Sequence, residues 1–103
     1  MNKALFQAAA MAHGLPMPEP EVRFAPPRKW RFDWLWKEHS IAIEIQGGLF
    51  TGGRHVRGKA LLAEYEKINE AQIMGYKVLL VTPEQVNSGE AFALVKRCME
   101  EAS

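Results

Sequence analysis

The sequence predicts an α/β fold with the element order α-β-β-β-α-β-α. Residues 29–36 and 41–46 each alternate apolar and polar side chains, and the polar tetrapeptide between them marks the pair as a β-hairpin. A continuous apolar run, 77–81, stands between two stretches of helical periodicity, the pattern of a strand buried under helices. The chain has 103 residues, 48% of them hydrophobic, enough for one compact domain over 1–103 with a core that needs no disulfide or zinc.

The first helix is expected over Asn2–His13, rich in strong helix formers, with Gly14 as its left-handed stop. Pro16, Pro18 and Pro20 then make a stiff connector. Glu21–Phe24 reads as a short strand ended by Pro26–Pro27. In the hairpin, Trp30, Phe32, Trp34 and Trp36 are expected on one face of the first strand, with Arg31, Asp33 and Leu35 on the other. Ile41, Ile43 and Ile45 line the apolar face of the second strand, opposite Ala42, Glu44 and Gln46. Gly47, Gly48, Gly52 and Gly53 bracket a loop ending at Arg54-His55-Val56-Arg57-Gly58. Residues 59–74 form a helix with Leu61, Leu62, Tyr65 and Ile68 as its inner stripe and Gly75 at its stop. Thr82-Pro83-Glu84-Gln85 has capping-box spacing with proline at the first helical position, and Ser88 caps a last helix carrying Ala91, Phe92, Val95 and Met99.

The single cysteine, Cys98, has no internal partner, no Cys/His set has zinc-finger spacing, and no apolar run spans a bilayer, so the expected compartment is the cytoplasm. Net charge is only +1, which argues against coating nucleic acid by bulk electrostatics. The charge is uneven, however. From Glu21 to Ala60 eight basic residues face four acidic ones, and from Leu61 onward four basic residues face seven acidic ones, so the first half suits phosphates.

If residues 37–40 are the hairpin loop, Trp36 lies opposite Ile41 and Asp33 opposite Glu44. Cβ atoms of directly opposed residues sit about 4.5–5.5 Å apart. Two carboxylates at that range repel unless a cation lies between them, and oxygen donors favour a hard ion, Mg²⁺ or Mn²⁺. Such an ion activates water and offsets charge on an attacked phosphate, so phosphodiester hydrolysis is the reaction class this pair suggests. Spacing alone leaves open a second reading, two solvent-facing acids paired with Arg31 and Lys37. Arg31 would oppose Gln46, and the three tryptophans suit either core packing or base stacking.

The segment Arg28-Lys29-Trp30-Arg31-Phe32-Asp33, with Glu44-Ile45-Gln46-Gly47-Gly48 and Gly52-Gly53-Arg54-His55-Val56-Arg57-Gly58, resembles the PD-(D/E)XK nuclease superfamily. Within it, the string is similar to small phage and prophage endonuclease-like proteins related to the very-short-patch-repair enzymes, over about residues 21–86. The resemblance implies a restriction-endonuclease-like αβββαβ core, with a mixed central sheet flanked by helices and an extra C-terminal helix. It also implies a metal-dependent endonuclease acting on DNA, in a bacterial or phage-infected cell. Asp33 and Glu44 would hold the metal with the backbone carbonyl of Ile45. Where the superfamily places a lysine to orient water, this chain has Gln46, which offers hydrogen bonds but no charge. Lys67 on the following helix is the candidate replacement, since superfamily members move the lysine there; the plainer reading is a solvated lysine near Glu64.

Arg31, Arg54, His55, Arg57 and Lys59 are the candidate DNA contacts, with His55 open to a structural role, phosphate contact or proton transfer. Glu21 is either a third carboxylate or a surface residue at a strand end. A Holliday-junction resolvase is the neighbouring enzymatic reading and would require a homodimer. The rival of a different class is a nuclease-fold module that binds nucleic acid without cleaving it.

Overall fold

The computed structural model describes residues 1–46 and 58–101. The order is α1 (Lys3–Ala12), β1 (Glu19–Arg23), β2 (Arg31–Trp36), a 3₁₀ turn (Lys37–His39), β3 (Ile41–Ile45), α2 (Gly58–Ile73), β4 (Lys77–Val81), α3 (Pro83–Ser88) and α4 (Glu90–Glu101). The four strands form one mixed sheet in the order β1-β2-β3-β4, antiparallel except for the parallel pair β3–β4. The glycine-rich loop with Arg54, His55 and Arg57 lies outside the described residues.

Local signals place the helix ends. The Asn2 side chain accepts from the Leu5 amide at 2.8 Å, and Thr82 and Gln85 close a reciprocal capping box with Pro83 at the first turn. Ser88 Oγ accepts the Glu90 amide at 3.2 Å and so caps α4. Gly89 between the last two helices has φ +89, and a Cβ there would lie 2.8 Å from His13 Nε2, so both backbone and space call for glycine.

Both faces of the sheet are covered. On one, Phe6 and Ala10 of α1, Val86 of α3 and Ala91, Phe92 and Val95 of α4 pack on Trp34, Trp36, Ile41 and Ile43. Phe6 stacks on Trp34 at 4.1 Å and 5°. On the other, Ala71 of α2 and the stacked pair Phe24–Phe32 cover Leu35 and Ala42.

Several expectations are corrected. Strand β1 begins at Glu19, and Pro20 belongs to it, paired with Trp34; β1 is an edge strand, where a missing amide is tolerated. Strand β4 is the opposite edge, with Leu80 52% exposed, so its apolar run does not mark a central position. The inner stripe of α2 is Leu61, Glu64, Lys67, Ile68 and Ala71, while Leu62 and Tyr65 are exposed, because polar side chains take inward positions there. The aromatic face of β2 is split: Trp34 and Trp36 enter one core, Phe32 the other with Trp30 against it. Between them the β1–β2 ladder is interrupted: Pro20–Trp34 and Val22–Phe32 pair, Glu21 and Asp33 do not, and Glu21 takes φ 50. Phe32 consequently pairs with Val22 and does not reach the core that holds Ile45.

Candidate metal and phosphodiester site

The 3₁₀ turn closes with Ser40 in the left-handed conformation, and the pairs Trp36–Ile41, Leu35–Ala42 and Trp34–Ile43 follow it. The expected hairpin register is therefore the observed one. Beyond Trp34–Ile43 the backbone ladder stops, and at Asp33 and Glu44 the cross-strand bonds pass through side chains. Glu44 Oε2 accepts the Asp33 amide at 2.8 Å, and Asp33 Oδ2 accepts the Ile45 amide at 2.7 Å. Each acid thus fixes the other's strand, which leaves Asp33 Oδ1 without a partner among the described residues. The pair sits at the carboxyl end of β3, beside the carboxyl end of its parallel neighbour β4, where open α/β sheets commonly bind ligands.

Helix α2 crosses the same face and completes the cluster. Its Lys67 ammonium forms an ion pair with Glu44 Oε1, both side chains being nearly removed from solvent. One turn earlier, Glu64 Oε1 accepts from Gln46 Nε2 at 3.4 Å, and the Gln46 backbone amide donates to Val81 O. An ionised carboxylate only accepts, so the Gln46 amide turns its nitrogen to Glu64 and keeps its oxygen as an acceptor. Sequence reading missed Glu64. A polar residue at an inward helical position, three before Lys67, is the signal that would have found it.

Glu44 is 3% exposed. Burial pushes its carboxyl up, and the neighbouring Asp33 carboxylate pushes the same way; the Lys67 ammonium and the Asp33 amide pull it down without cancelling the rise. The unfolded residue ionises at the ordinary glutamate value and the folded one at higher pH, so between the two the folded chain holds the extra proton. Stability of the metal-free protein therefore falls as pH rises through that window and levels off above it. Thermal melts in EDTA from about pH 4 to about pH 8 will show this fall, and Mg²⁺ will raise Tm mainly above the window, where the pair is ionised. The same fall in Glu44→Gln would assign it elsewhere.

The donor set fits a hard divalent cation. Two carboxylates lie close enough that one raises the other's pKa, and all donors are oxygens. Among the described residues no group of three or more His, Cys, Asp or Glu side chains converges.

The remaining candidates separate. Arg31 does not meet Gln46; it pairs in register with Arg23 and reaches Glu21 Oε1 at 4.0 Å. Glu21 is also paired with Lys3, so it joins two cations rather than Glu44. Lys37 lies on the turn at the far end of the hairpin, and neither it nor Arg31 pairs with the two acids. Lys59 is exposed in the first turn of α2. Trp34 and Trp36 are core residues, whereas Trp30 is half-buried under the Arg28 guanidinium at 4.2 Å. No helix among the described residues is long and apolar enough to cross a membrane. Compared with known proteins, the chain matches no family model, no curated sequence and no solved structure.

Proposed function

We propose that the protein is a metal-dependent endonuclease that hydrolyses DNA phosphodiester bonds, with a restriction-endonuclease-like core. The observation that supports this best is the crossed pair Asp33–Glu44 at the end of a rigid hairpin, with a lysine from α2 seated on the buried acid. A surface pair of acids has no reason to bury one member, bond both to main chain and draw a helix lysine inward. Burying charge costs free energy, and such an arrangement is a common mark of a functional site.

Asp33 and Glu44, with the Ile45 carbonyl, would hold Mg²⁺ or Mn²⁺. When bound, that ion lowers the pKa of water and offsets charge on the attacked phosphate. The chain's own groups do the rest. Lys67 offsets part of the burial penalty on the Glu44 carboxylate and would supply the charge that Gln46 lacks. The Gln46 oxygen, left free by the bond of its nitrogen to Glu64, can accept a hydrogen bond from the attacking water and orient it. The hydrogen bonds through Asp33 and Glu44 hold both strands in place, so the ligands need little reorganisation.

The direct test incubates the protein with supercoiled plasmid, a branched duplex and a single strand in Mg²⁺, Mn²⁺ or EDTA. Nicking or linearisation that requires the metal is the expected result. Metal-independent binding with no cleavage of any substrate would overturn this reading in favour of a non-catalytic nucleic-acid-binding module.

A further inference from the structure

Met1, Lys3, Pro20, Glu21, Trp34 and Ile45 line with Asp33 an open groove of about 380 Å³, to which Lys67 does not contribute. Glu21 stands where the β1–β2 ladder skips from Pro20–Trp34 to Val22–Phe32, and it lines the same groove as Asp33. Its carboxylate is shared by the Lys3 ammonium and, at 4.0 Å, by the Arg31 guanidinium. All three side chains are at least half exposed, so no burial forces them together. An exposed ion pair stabilises a fold very little. Yet Glu21 holds φ 50, a conformation that costs a residue with a Cβ and that persists mainly where function needs it.

We propose that Lys3 and Arg31 form the seat of a backbone phosphate of the DNA strand beside the one attacked, and that Glu21 fills this seat until the phosphate displaces it. The proposal rests on the nuclease reading above. Two cations on one carboxylate are under-neutralised, and the ammonium and guanidinium donors suit the two free oxygens of a phosphodiester. The exchange is neutral in charge: one monoanion leaves the cations for water and another takes its place. A phosphate seated here would run the strand along the groove and past Asp33, which sets the direction of approach to the site.

Fluorescence anisotropy with a labelled duplex and a labelled single strand, in EDTA and over a range of salt, tests this. Lys3→Ala and Arg31→Ala are expected to weaken binding about tenfold each and to lower the slope of log K against log salt by about one. Glu21→Gln and Glu21→Gly are both expected to tighten binding by about that factor. The glycine variant relieves the strained φ, so it also guards against a folding defect in the glutamine variant. Lys37→Ala, at the far end of the hairpin, is the control and should stay within about twofold of the parent. Three results would overturn the proposal: an unchanged salt slope in Lys3→Ala and Arg31→Ala, weaker binding in both Glu21 variants, or loss of cleavage in Glu21→Gln as complete as in Asp33→Ala. If the parent protein cleaves DNA with Mg²⁺ while any of these holds, only the phosphate seat falls. If the parent neither binds nor cleaves, the nuclease reading falls with it.

Discussion

Asp33→Asn and Glu44→Gln will each lower metal-dependent cleavage about a thousandfold, equivalent to about 4 kcal/mol of transition-state stabilisation. The amides are better variants than alanine, because an amide oxygen still accepts the hydrogen bonds that tie the strands: Asp33 Oδ2 from Ile45, and Glu44 Oε2 from Asp33. What they remove is charge. With one acid of the pair replaced by its amide, the two no longer repel and bind Mg²⁺ far more weakly. Cleavage rates are read from supercoiled plasmid, with far-ultraviolet circular dichroism and a thermal melt to show that the fold is kept. Titrating Mg²⁺ by its effect on Tm supplies a second readout, and the shift seen in the parent should vanish in both variants. Parental cleavage rates in both proteins would remove Asp33 and Glu44 from the site.

Lys67→Ala will reduce turnover about a hundredfold while DNA affinity stays within a few-fold of the parent, because the ammonium serves the chemistry more than the binding. It also leaves a nearly inaccessible carboxylate without its strongest partner. The cost in stability is about 1–3 kcal/mol above the window in which Glu44 ionises, and less below it, where Glu44 is already protonated. For a chain of this size about 1 kcal/mol moves Tm by about 4–8 °C. The Glu44 carboxyl moves further up in this variant, since its hydrogen bond to Lys67 is the largest downward influence, and the acid limb of the pH–rate profile moves up with it. A merely structural lysine would change Tm and move that limb, but would leave the plateau rate near that of the parent. Adding Gln46→Lys to Lys67→Ala is the decisive companion. If Lys67 carries the charge missing from position 46, the double variant regains activity; if the double variant stays inactive, the two positions are not equivalent.

Much of this site was legible in the sequence because hairpin register needs only a loop and a period of two. The polar tetrapeptide 37–40 and the alternation on either side placed Asp33 against Glu44, and the observed pairs Trp36–Ile41 to Trp34–Ile43 follow the same rule. Helix ends were legible for a related reason: the bonds of Thr82 to Gln85 and Ser88 to Glu90 span only a few residues, so local chemistry suffices to specify them. The prolines misled at β1, since a proline reports a missing amide but not whether its strand lies at an edge.

Only tertiary structure decided how α2 turns, where β4 lies and where β2 changes face. A hydrophobic pattern reports which side chains avoid water, and it fails where a protein buries charge on purpose. Glu64 and Lys67 occupy inward positions on α2 that a hydrophobic stripe assigns to Leu62 and Tyr65, because Glu44 and Gln46 are waiting beneath them. The change of face at Asp33 is likewise absent from the local pattern. Phe32 and Trp34 lie two residues apart and would share a face in a regular strand, yet they enter different cores, and the β1–β2 ladder is interrupted between them beside Glu21 with its φ of 50. The sequence by itself determined that the two acids oppose each other. The packing of α2 and the interrupted ladder decided what surrounds them, since those depend on contacts between residues far apart in the chain, which no local period encodes.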